Sequence, residues 1–145
     1  PQPVERMYLT DMNTAWSSAL ESLKSVRIDV SNREGGFVQT KWTDNTLEKN
    51  FVNSFGGVDT YLKSQYRLKI NLSPGAYNGK PVVRLSILKE QLVQRDVLEG
   101  WKPIETDTLD ENTLLYRISR IIFMRMKLAQ VEEQKKQKAL ENTTF

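Results

Sequence analysis

The chain contains no cysteine and no histidine. Without thiols there is no disulfide, no iron–sulfur centre and no thiol nucleophile. Without imidazole the commonest general base and the commonest transition-metal ligand are missing. Zinc sites and Ser-His-Asp or Cys-His catalysis are therefore excluded. Carboxylates, lysines and tyrosines remain, yet no predicted element carries the paired carboxylates that acid–base chemistry uses. No catalytic residue, no metal and no cofactor is expected. Apolar runs of about 18 residues or more are also lacking, as is a signal-peptide pattern, so these residues are expected neither to span a membrane nor to carry their own export signal. Charge of one sign is scarce too: 21 Lys and Arg against 18 Asp and Glu leave +3. That balance falls short of the concentrated basic patch of a nucleic-acid binder, and nucleic acid is not an expected partner.

What is present suffices for one core, since 145 residues with 39% hydrophobic content build one domain rather than two. The opening Pro1-Gln2-Pro3 suits an extended tether and resembles the start of a trimmed mature domain. Residues 26–42, VRIDVSNREGGFVQTKW, read as the hairpin around which the rest is organised. Val26, Ile28 and Val30 alternate with polar neighbours, Gly35 and Gly36 supply a tight reversal, and Val38, Thr40 and Trp42 share one face of the second run. Residues 65–72 alternate most cleanly, with Tyr66, Leu68, Ile70 and Leu72 on one side. Residues 81–91 follow as their partner, with Val83, Leu85 and Ile87 inward, across turn signals in residues 73–80. Residues 4–10 add a short edge strand with Val4, Arg6 and Tyr8 on one side.

Two helices stand out. Asp11 offers an N-cap, and Met12, Ala15, Trp16, Ala19, Leu20 and Leu23 form an apolar stripe opposite Ser17, Ser18 and Glu21. Thr108 and Glu111 have capping-box spacing before a stripe of Leu114, Leu115, Ile118, Ile121, Ile122, Met126 and Ala129. Beyond it the helix is expected to fray into a solvated tail, residues 132–145. Between the two hairpins, residues 43–64 read as a long connection in which Asn45 and Glu48 cap a short helix through Phe51 and Gly56 and Gly57 end it. Residues 92–106 are irregular, with Trp101 pushed extended by the Lys102-Pro103 that follows. The predicted fold is α+β, an antiparallel sheet with two helices on one face and a long C-terminal helix, a helix-grip-like arrangement. The expected division is a tether end at 1–3, one domain at 4–131 and the tail.

The helix DMNTAWSSALESL (residues 11–23), the hairpin with Asp29, Glu34-Gly35-Gly36 and Trp42, and the alternating strand 66–72 together resemble the BamC-like (NlpB-type) lipoproteins of the Gram-negative outer-membrane assembly machinery. The resemblance spans residues 4–129. It implies a helix-grip domain with no catalytic residue and no cofactor, which binds other envelope or outer-membrane assembly proteins on the periplasmic side of the outer membrane, with a lipidated cysteine upstream of Pro1 as anchor. The candidate partner-binding residues are Tyr116, Arg120 and Phe123 on the closing helix and the aromatics Phe51, Phe55 and Trp101. Tyr116 and Phe123, seven residues apart, read either as the flank of a wide core stripe or as an exposed contact. The alternative function is a carrier of a small apolar ligand or lipid held between the long helix and the sheet, near Phe51, Phe55 and Trp101.

Overall fold

The computed structural model describes residues 2–55 and 60–144, an α+β chain. Its elements run β1 (Val4–Tyr8), α1 (Met12–Ser22), β2 (Ile28–Asn32), β3 (Phe37–Thr40), β4 (Thr43–Asp44), α2 (Thr46–Phe55), β5 (Lys63–Tyr77), β6 (Lys80–Gln94), β7 (Lys102–Ile104) and α3 (Leu109–Glu141). The sheet order is β1-β6-β5-β3-β2, with β4 also pairing β5 and β7 also pairing β6, every pairing antiparallel. At the centre is the β5–β6 hairpin, paired without a register shift from Lys63↔Gln94 to Tyr77↔Lys80. The organising element is thus this second hairpin, and the 26–42 hairpin lies at the side, with β2 as an edge strand.

The strand alternation sets the faces. Leu68, Ile70 and Leu72 on β5 and Val83, Leu85 and Ile87 on β6 are buried on one side, where α1 and α3 cover them. Trp16, Ala15 and Ala19 from α1 and its C-cap Leu23 meet Leu114, Ile118 and Ile122 from α3 in the same cluster. Asp11 caps α1 as predicted, its carboxylate accepting the Thr14 N–H at 2.7 Å. Arg125 on α3 reaches Ser17 and Glu21 on α1, so the two helices are fastened at their outer rims as well. β1 is held from above, where Tyr8 and Arg6 both hydrogen-bond the buried Ser119 hydroxyl of α3. Gly36 accounts for the sharp turn into β3: its φ is +65°, its carbonyl accepts the Leu72 N–H at 2.7 Å, and a Cβ there would sit 2.0 Å from the Leu72 carbonyl oxygen.

Several expectations need correction. Residues 73–77 belong to β5 rather than to a turn, and only Asn78 and Gly79, both at positive φ, reverse the chain. Pro74 is tolerated there because β3 pairs β5 only at residues 69–71, so the missing N–H faces no strand on that side. A register shift between Ile28 and Val30 breaks the alternation of β2 and leaves Val30 exposed. Ser18, expected on the solvent side of α1, is fully buried and turns its hydroxyl to the Thr14 carbonyl at 2.6 Å. Thr108 forms no capping box: it sits at φ 65° with no side-chain cap bond, while Asp107 accepts the Leu109 N–H and Thr106 holds the buried Glu111. Nor does α3 fray after Ala129, for it is continuous over 33 residues, about 50 Å at 1.5 Å per residue. Its distal turns are rich in Glu, Gln, Lys, Ala and Leu, which hold helix without packing, and Ala129, on the line of the core residues, is already exposed because the body beneath has ended. The break expected at Gly56 and Gly57 lies outside the described residues.

Trp16→Ala is expected to lower stability by about 3–5 kcal/mol, since a buried indole at the α1–α3–sheet junction leaves a cavity; thermal or denaturant unfolding measures it. A chain truncated after Val131 is expected to keep a cooperative melt, because the described residues beyond it are exposed.

Candidate interaction surface

The connection expected over residues 43–64 contains the helix α2, a turn longer than its predicted end at Phe51. Leu47, Phe51 and Phe55 fall at i, i+4 and i+8, which in an ordinary surface helix marks the side turned to the core. Here the helix is reversed. Its polar side faces the sheet: Asn50 Oδ1 accepts the Tyr61 N–H at 2.7 Å and its Nδ2 donates to the Tyr61 carbonyl at 2.9 Å. Thr46 Oγ1 accepts the Ser64 N–H at 2.9 Å. Asn45 supplies no cap, its Oδ1 instead accepting the Ser64 hydroxyl at 2.7 Å, which in turn accepts from buried Gln91 at 3.0 Å. The helix start is held by Asp44, whose carboxyl lies below its ordinary range because the Thr46 N–H donates to it at 2.9 Å. These bonds satisfy backbone groups at the beginning of β5 that no strand reaches, and that demand outweighs the preference for apolar burial.

The consequence is an apolar face turned to water. Leu47 is 87% exposed, Phe51 65% and Phe55 78%, with the two phenyl rings edge to face at 4.9 Å between centroids. Beside it, between α2 and the first turn of α3, a cleft of about 140 Å3 is floored by Lys89 and Gln91. Lys89 is buried, paired with Asp110 at 2.7 Å, and lies 5.0 Å from the Tyr66 ring centroid. Trp101 stands at the same end of the sheet as α2, just ahead of β7, but along the opposite edge of the β5–β6 hairpin where β7 pairs β6.

On α3 the two candidate rings are exposed rather than part of the core flank. Tyr116 is 61% and Phe123 55% exposed, and the Arg120 guanidinium lies 5.9 Å from the Tyr116 centroid. They lie on the flank of α3 near Ser119, the residue that meets β1. A second exposed line, Met124, Leu128 and Val131 beside half-buried Ile121, runs on the flank that faces α1. Sequence reasoning assigned Ile121 to the core and passed over Leu47, Met124 and Leu128. The 3–4 spacing of these residues was readable, but spacing gives a stripe and not the side it faces. The structure therefore presents Phe51 with Phe55, Trp101, and Tyr116 with Arg120 and Phe123 as three separate groups.

No protein-family model and no curated protein matches the chain.

Asn50→Ala is expected to cost about 1–3 kcal/mol by stranding the Tyr61 backbone groups, read as faster amide exchange across α2 and at Tyr61. Leu47→Ala should stay within about 0.5 kcal/mol of the parent in unfolding, as an outward position does.

Proposed function

We propose that the chain is a non-catalytic interaction module of the Gram-negative cell envelope, acting on the periplasmic side of the outer membrane and helping to assemble or maintain it through contacts with other envelope proteins. The observation that carries the binding role is the reversal of α2. A helix fixed by its polar side, with Leu47, Phe51 and Phe55 facing outward, bears an apolar stripe that nothing in the described chain covers, and such patches mark contact sites. The outward side of α3 agrees, because aromatic, Met and Arg side chains, here Tyr116, Phe123, Met124 and Arg120, are the residues enriched where proteins meet. The envelope assignment rests on the resemblance of residues 4–129 to BamC-like lipoproteins, with which an antiparallel sheet bearing a long closing helix is compatible. Among the described residues no helix is long and apolar enough to cross a membrane.

The ligand-carrier reading has one observation in its favour, an apolar groove of about 470 Å3 lined by Met7, Leu9, Tyr77 and Val82. That groove lies on the open face of the sheet, away from the space between long helix and sheet where a grip-type ligand belongs.

Combining Tyr116→Ala with Phe123→Ala is expected to abolish capture of envelope partners while shifting the melting temperature by no more than a few degrees, as for exposed positions. Binding retained at unchanged stability would remove the α3 rings from the contact. Recovery of the full-length protein in the cytosol, without lipid attachment, would remove the envelope reading.

A further inference from the structure

Between the C-terminal end of α1 and the middle of α3 lies a groove of about 320 Å3, with Ile121 and Met124 as its apolar lining and Lys24, Arg117 and Arg120 at its rim. The 3–4 spacing continues past it through Leu128 and Val131, giving a row of apolar positions one helical repeat apart, with Lys127 alongside. Residues 112–131 contain four basic side chains and no acidic one. Arg125 is neutralised by Glu21 of α1, the one carboxylate at the groove. Lys24, Arg117, Arg120 and Lys127 take part in no ion pair among the described residues. A groove whose α3 side is apolar and whose α1 side carries Glu21, Ser22 and Ser25 fits the face of an amphipathic third helix, and uncompensated cations on its rim select carboxylates on that helix. The same cations disfavour a second copy of this chain, which would bring its own basic α3 against them. Ile121 and Met124 line a recess, which a flat bilayer surface fills poorly and a ridge of side chains fills well.

Building on the interaction-module reading, we propose that this groove receives an acidic amphipathic helix of a partner protein, its apolar side chains on Ile121, Met124 and Leu128 and its carboxylates on Lys24, Arg117 and Arg120.

The test is photo-cross-linking in intact cells with benzoyl-phenylalanine in place of Met124, and in separate chains in place of Phe51 and of exposed Lys41. The expected adduct at Met124 is a partner segment rich in Asp and Glu with apolar residues at 3–4 spacing. Its yield should fall about tenfold when Arg117→Glu and Arg120→Glu are combined, as steered contacts do when charge is reversed. Lys24→Glu, just past the end of α1, serves as a second reading should that pair disturb the melt. Adducts to lipid only, to a second copy, to a neutral or basic segment, or none above the Lys41 level would overturn the proposal. Adducts at Phe51 with none at Met124 would leave the interaction module standing and remove the acidic helix. Silence at both positions, together with capture that Tyr116→Ala and Phe123→Ala leave unchanged, would remove both.

Discussion

Everything in this fold is fixed by the unbroken pairing of β5 with β6. Because side chains alternate, the registration of these strands puts Leu68, Ile70 and Leu72 beside Val83, Leu85 and Ile87, and a shift of one residue would turn that apolar set to water. The helices have only one face on which to bury their stripes. On the other face the same registration brings Glu90 opposite Arg67 and next to Lys69. Partial burial alone would raise the Glu90 pKa, but the bonds from Lys69 and Arg67 outweigh it and hold the carboxyl below its ordinary range. With a folded value lower than the unfolded one, this cluster adds stability above the ordinary carboxylate range and loses it as pH falls through the depressed value. The Arg67 guanidinium also covers the Trp42 ring at 4.5 Å from its centroid, so Trp42 leaves the helix face to which alternation assigned it and joins the charged cluster on the other face.

Strand alternation and the 3.6-residue stripe were legible because each has one cause, the burial of a face. Trp16, Ile118 and the 65–72 strand fell where their periods put them. What escaped reading depended on particular hydrogen-bond partners and neighbouring elements, which periodicity does not carry. Ser18 looks polar until its hydroxyl is returned to its own helix, and Glu111 is admitted to the interior by Thr106. Pro74 looks like a turn former until the neighbouring strand is seen to have ended. Exposure of Tyr116 and Phe123 follows from which flank of α3 the sheet edge reaches, a property of the assembled layers. The orientation of α2 was the least legible feature, since its apolar spacing fits an inward helix and only the needs of the Tyr61 and Ser64 backbone turn it over.

The exposed apolar surfaces of α2 and α3 are held by different means, and this bears on how each can act. The α3 face is the reverse side of a helix whose inner residues Leu114, Ile118 and Ile122 are locked in the core, so its outer side chains are presented on a rigid support and lose little freedom on contact. The α2 face hangs on a few polar bonds to one strand, with no residue of the helix buried, so it is the element of lower local stability. Because α2 is tied to the start of β5 and α3 to α1 and the body of the sheet, loosening one leaves the contacts of the other in place. The two faces are therefore separable surfaces on one scaffold, and under the proposed binding role a partner that engages both would gain from linkage rather than from any change in either surface.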